Sequence, residues 1–201
     1  SGPSLLDSGL SGPYRPQNTP QGERMSADFH QIAKDSEDEL VQFLRDIVAI
    51  PSLSCQEENV VKRIQQEMEK LDFDDVRVDP MGNIIGRIGN GSKSIAYDGH
   101  IDTVDISEPT LWTTDPYDPV VKDGCVFGRG TTDMKGGFAS SLYACALLKR
   151  HGLVPDDITL YVTGTVQEED CDGLCWQYIV NEVGLKPDLG ALVIGVLLAR
   201  H

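Results

Sequence analysis

Gly128-Arg129-Gly130-Thr131-Thr132-Asp133-Met134-Lys135-Gly136-Gly137 holds one acidic side chain among four glycines. A hairpin-like segment precedes it and a long helical pattern follows, so here the chain passes from strand to helix. Glycine on both sides lets the backbone turn through angles that other residues avoid. Such a loop serves to place something, and Asp133 is the candidate. On its own the stretch reads more readily as a surface turn whose Asp caps the next helix.

Working outward, Val120 to Phe127 with Asp123-Gly124 at its middle reads as a hairpin. Phe138 to Arg150 reads as a helix with small residues near its start, which allow close approach to a sheet. Ile158 to Val166 is β-branched and apolar, a buried strand, and it ends at Gln167-Glu168-Glu169-Asp170. Upstream, Ser94 to Tyr97 is a short strand running into Asp98-Gly99-His100-Ile101-Asp102. Val76 to Val78 and Ile84 to Ile88 pair through a turn at Pro80-Met81-Gly82-Asn83. Two amphipathic helices come earlier, each with a capping-box pattern: Ser36 with Glu39, and Ser54 with Glu57. Trp176 to Val183 reads as a short helix and Ala191 to Ile194 as a last strand. Strands alternating with helices, with hairpins inserted, predict an α/β fold with a mixed β-sheet and helices on both faces.

At 201 residues the chain suits one domain or a large part of one, and 40% hydrophobic residues suffice for a core. Residues 1–24 are rich in Ser, Gly, Pro and Gln and read as a disordered tag or linker, with the catalytic part expected over 25–195. A net charge of -15 argues against nucleic acid and against anionic membrane surfaces. No apolar run is long enough to cross a membrane. Five cysteines form no dense framework and read as free thiols in a reducing cytoplasm.

Three separate elements carry chemistry. His100 and Asp102 follow a strand, Glu168 and Glu169 follow another, and Asp133 sits in the glycine loop. In open α/β sheets, sites form outside the carboxyl ends of strands. Imidazole and carboxylate suit zinc, cobalt or manganese. One carboxylate can bridge two ions about 3.5–4 Å apart, a second acid can hold a ligating His in its tautomer, and a neighbouring Glu can accept a proton from water. Each pair alone is commoner as a solvated turn; the combination points to metal-assisted hydrolysis.

Gly99-His100-Ile101-Asp102-Thr103-Val104, the Gly128–Gly137 loop and Val166-Gln167-Glu168-Glu169 resemble, in order, the three signatures of the dinuclear zinc aminoacylase and carboxypeptidase family, which includes acetylornithine deacetylase, succinyl-diaminopimelate desuccinylase and glutamate carboxypeptidase. Glu168-Glu169-Asp170-Cys171-Asp172-Gly173-Leu174-Cys175-Trp176 is most similar to its selenium-metabolism-linked hydrolase branch. The resemblance implies a zinc-peptidase-like catalytic domain, two divalent ions with zinc first, and an amide bond of an acyl-amino acid or peptide-like small molecule as the target of metal-activated water. It makes His100 a ligand of one ion, Asp133 the bridging ligand across a cis Asp133-Met134 peptide, and Glu169 a ligand of the other ion. It makes Asp102 the acid that orients His100, and Glu168 the general base.

The resemblance also implies features that this sequence departs from. An acidic residue is expected after the next strand, where Val196 follows Gly195, and a His is expected far downstream. Residues 196–201 are expected to be a tail that matches nothing in the pattern, and the lid and dimerisation domain is expected to be missing from this chain. The expectation is a C-terminally truncated catalytic part with impaired activity, or a non-catalytic interaction module whose exposed sheet edge favours self-association.

Overall fold

In this computed structural model the described residues are 28–192, with 172 excepted. The tag expected over 1–24 and the non-matching tail expected over 196–201 lie outside them. Helices α1 (Phe29–Asp35), α2 (Glu37–Val48) and α3 (Glu58–Lys70) lead into β1 (Asp75–Val78), β2 (Ile84–Ile88) and β3 (Lys93–His100). A small hairpin, β4 (Val120–Lys122) with β5 (Cys125–Phe127), precedes α4 (Gly136–Arg150) and β6 (Ile158–Thr165). The short α5 (Leu174–Tyr178) and β7 (Leu189–Leu192) complete the order.

The main sheet runs β1-β2-β6-β3-β7. β6 is its centre, antiparallel to β2 and parallel to β3, and β3 is parallel to β7, so the sheet is mixed as expected. β1 and β7 are its edges among the described residues, and Leu189 on β7 is 59% exposed. Period-two alternation along β2 divides the two faces. Ile84 and Ile88 join the main core with Phe43, Ile47, Val60, Ile64, Met68 and Phe138. Ile85 between them points the other way and meets Ile179, in the helical turns Ile179–Val183 that continue α5, and Leu185. Helices therefore cover both faces. Each fully buried Ile or Met of this kind contributes about 1.5–3 kcal/mol.

The apolar spacing predicted for the first two amphipathic helices is what buries them: Phe43, Leu44, Ile47 and Val48 on α2, and Val60, Val61, Ile64 and Met68 on α3. Their capping boxes do not form. Ser36 sits at the α2 N-cap, but its side chain makes no capping bond and its own N–H closes α1 instead. Ser54 lies ahead of α3, whose N-cap is Glu57 and likewise lacks a side-chain cap bond. In the second box, the side chains that local spacing would assign to a helix end have long-range partners instead: Ser54 bonds to Asp102 and Glu57 to the Gln167 amide.

Two glycines fix how the sheet meets α4. A Cβ at Gly99 would stand 3.1 Å from Phe138 Cβ and 3.2 Å from Met134 Cε, so its absence lets the start of α4 lie against β3. Gly130 has φ +79, and a Cβ there would meet Thr103 Cγ2 at 2.6 Å. Only glycine therefore lets the Asp133 loop lie this close to the segment after β3.

Candidate metal centre

β3 extends further than its apolar residues suggest. Backbone pairing with β6 continues through Asp98, Gly99 and His100, the last opposite Thr165. His100 and Thr165 thus end their parallel strands side by side, and the segments Ile101–Thr103 and Val166–Glu169 leave the sheet together. Ile101 N–H donates to Thr165 O at 2.9 Å across the gap.

The third segment arrives from the other direction. Between Gly130 and α4 the chain makes a wide turn, and Asp133 (φ -122, ψ 99) and Met134 leave helical geometry inside it. The Asp133-Met134 peptide is cis, as the resemblance implied. Asp133 does not cap α4, whose N-cap is Lys135, and its side chain is 76% exposed. Lys135 is buried at 1% exposure and its ammonium donates to the carbonyls of Ile47 (2.8 Å) and Ile50 (3.1 Å), which anchors the turn to the end of α2. Burial pulls its pKa down to about 7 against the attraction of Asp102.

These segments bring His100, Asp133 and Glu169 together, with one ligand atom from each within 4.8 Å of the others. Among the described residues this is the single such group of three or more His, Cys, Asp or Glu donors. His100 Nε2 donates to Asp133 Oδ1 at 3.0 Å and lies 3.7 Å from Glu168 Oε2. On its other side Nδ1 donates to the Asp102 main-chain oxygen at 3.0 Å, with the Asp102 carboxylate at 3.5 Å. Burial would lower the His100 pKa, but hydrogen bonding and charge from Asp102, the bond to Asp133 and the charge of Glu168 outweigh it and lift the ring to about 9. The Glu169 carboxyl is raised, by burial first and then by Asp133, Asp102 and Glu168 against the pull of His100.

This set fits a divalent cation. Four carboxylates surround one imidazole, and the only counter-charge within it is the proton the ring holds. Nδ1 is committed to Asp102, which leaves Nε2 as the nitrogen aimed at the carboxylates, the arrangement that metal-binding histidines adopt. One nitrogen and two carboxylates are donors for zinc and its neighbours in the first transition row.

Asp102 does more than face His100. It has no exposed surface; its Oδ1 accepts the Glu168 N–H at 3.2 Å, and Oδ2 accepts the Glu169 N–H at 3.1 Å and the Ser54 hydroxyl at 2.7 Å. Burial raises its pKa, but these bonds and His100 win and hold it below the ordinary carboxylate value. Gln167, just before, has φ 59, and its N–H donates to Glu57 Oε1 at 2.9 Å. A non-glycine residue held there costs about 1–3 kcal/mol. Ser54, Glu57 and Lys135 are the supporting residues that sequence reasoning missed. The first two were read as a capping box, and the only signal for Lys135 was its place in the glycine loop. A shallow cleft beside Glu169 is lined by Leu53, Ser54, Gln56, Thr103, Val104, Asp105 and Asp170.

The signature of Peptidase family M20/M25/M40 matches residues 96–198, which takes in β3 from Ala96 onward, the Asp133 turn, α4, β6 and the Glu168-Glu169 loop. The chain belongs to this family. It is 54% identical over 156 residues to the protein YgeY of Escherichia coli K12, covering 78% of this chain and 38% of that one. It is 33% identical over 163 residues to a probable succinyl-diaminopimelate desuccinylase of Staphylococcus epidermidis, covering 80% and 40%. The chain thus spans about two fifths of the length of these relatives. Its fold matches that of the Bacillus subtilis YXEP protein, described as a dinuclear metal binding peptidase of family M20, with a TM-score of 0.60, 21% identity, and coverage of 79% of this chain and 42% of that one. All five cysteines are free thiols, and among the described residues no helix is long and apolar enough to cross a membrane.

Proposed function

We propose that this chain carries the metal-binding part of an amidohydrolase that cleaves the amide bond of an acyl-amino acid or peptide-like small molecule. The observation that carries the reading is the convergence of His100, Asp133 and Glu169 within 4.8 Å, in a chain of family M20. Divalent ions held by these three residues would polarise the scissile carbonyl and lower the pKa of water. Glu168 is the general base: it stands 3.7 Å from His100 Nε2 and its side chain is 40% exposed, so it reaches both the cluster and a substrate. Its carboxylate takes the proton of the attacking water and delivers it to the leaving amine. Asp102 is the positioning acid, holding His100 on one side and the Glu168 and Glu169 amides on the other.

The reading extends to two ions bridged by Asp133, zinc first, with cobalt or manganese as alternatives. The YXEP description supports a dinuclear centre and the desuccinylase relative supports deacylation. Free thiols fit a reducing compartment, which we take to be the cytoplasm. Calorimetric titration with zinc tests the assignment. Binding to the unaltered chain should be lost or weakened at least a hundredfold in His100→Ala and Asp133→Ala. Tight binding that survives both substitutions would overturn it, and the number of ions bound per chain decides between one ion and a bridged pair.

A further inference from the structure

The segment Ser52–Glu57, between α2 and α3, contributes no ligand to the His100–Asp133–Glu169 group, yet it is bonded to both strand-end loops that build it. Ser52 Oγ donates to Ile101 O at 2.8 Å, and Thr103 N–H donates back to Ser52 O at 2.8 Å. Ser54 Oγ donates to Asp102 Oδ2 at 2.7 Å. Glu57 Oε1 accepts the Gln167 N–H at 2.9 Å. The first three bonds hold the segment after β3; the fourth holds the segment after β6.

Glu57 is the member whose presence needs explaining. It is a carboxylate at 5% exposure, and both burial and the neighbouring charge of Asp102 oppose its ionisation. It makes no capping bond to its own helix. Its oxygen instead meets the amide of Gln167, the one residue of the Val166–Glu169 segment with a left-handed backbone. The two residues after that turn are Glu168 and Glu169, whose own amides are held by Asp102. Three consecutive amides, 167 to 169, therefore point at two buried carboxylates, and side chains anchored at their backbones have a fixed starting direction.

We propose that Glu57 is a positioning residue of the metal centre: its buried carboxylate fixes the turn at Gln167 from which Glu168 and Glu169 are aimed. The proposal rests on the functional reading above, and its test separates the two. In the chain without metal, Glu57→Ala should speed amide exchange at Gln167, Glu168 and Glu169 at least tenfold, while the amides of the β6 interior stay protected. Glu57→Gln, which keeps an acceptor oxygen at the same reach, should restore most of the protection. With cobalt(II) alone as probe, Glu57→Ala should bind 10- to 100-fold more weakly and shift the d–d absorption, and Glu57→Gln should recover both. Unchanged exchange at 167–169 in Glu57→Ala, or a Gln variant as defective as the Ala variant, would overturn the proposal. Should the alanine variant not fold, Glu57→Asp withdraws the carboxylate by one methylene and reads the same exchange. An unaltered chain that binds no cobalt would sink the functional reading and leave the exchange result to decide the role of Glu57.

Discussion

Asp102 has no exposed surface, and both of its carboxylate oxygens are committed. Three protein donors, the amides of Glu168 and Glu169 and the Ser54 hydroxyl, converge on it, and His100 stands at its side. Every partner is a donor, so only a group with acceptors on both oxygens fits. Asp102→Asn keeps the shape and turns one of the two into an NH₂ that faces an N–H or O–H. A buried donor left without an acceptor costs about 1–3 kcal/mol, and that is the expected loss in urea unfolding of the metal-free chain. The same change removes the acid beside His100, so zinc affinity should fall about 10- to 100-fold by calorimetry. An Asn variant as stable as the parent, with unchanged zinc binding, would show that the amides find other acceptors.

At the scale of elements, Glu67 ties three helices together. It lies on α3 at 1% exposure, accepts the Tyr143 hydroxyl of α4 at 2.7 Å, and pairs with Lys70 and Arg63 at 2.9 and 2.7 Å. Arg63 reaches on to Asp46 of α2 at 2.8 Å and lies over the Phe43 ring. Burial raises the Glu67 carboxyl, but the bonds from Tyr143, Lys70 and Arg63 outweigh it, so its folded pKa lies below the usual value. A depressed carboxylate contributes stability above its unfolded pKa, about 4.3, and loses it as pH falls through the folded value. Glu67→Gln should therefore be less stable than the parent at pH 7, and the gap should narrow below about pH 4. Urea midpoints of both chains across pH 3–7 check this; a constant gap would mean the ionised form is not what holds the helices. The same scale shows what could be read in advance. Ile158–Thr165 was legible because β-branched residues buried on both faces have no other home. Asp98-Gly99-His100 was not legible as strand, because its residues have weak strand propensity and only pairing with β6 extends β3 through them. Helix α1 buries none of its residues and so left no periodic signal. His100, Asp133, Glu168 and Glu169 stood out because each sits at a strand end or in a glycine turn. Ser54 and Glu57 did not, because Ser-x-x-Glu satisfies a helix-cap pattern equally well, and only the fold decides which donors such side chains meet.

At the scale of the whole molecule, residues 100, 133 and 169 are brought together only by the folded sheet: His100 by the end of β3, Glu169 by the loop after β6, and Asp133 by a turn locked to α2 through Lys135. An unfolded chain cannot gather them, so an ion bound there stabilises the native state by mass action. At a hundred times its dissociation constant, zinc should add about 2.7 kcal/mol, which for a domain of this size corresponds to a rise in melting temperature of about 5–10 °C. The chain's net charge of -15 offers a competing effect, since any cation relieves self-repulsion. The two differ in form. Charge screening grows gradually with added sodium chloride and is indifferent to one carboxylate, whereas site binding saturates, reverses with a chelator and vanishes in Asp133→Ala. A melting series with zinc, with chelator and with matched sodium chloride, run on the parent and on Asp133→Ala, separates them. A zinc shift that the variant retains in full would mean the ion acts on the acidic surface as a whole, and the convergence of the three loops would then have to be explained without a metal.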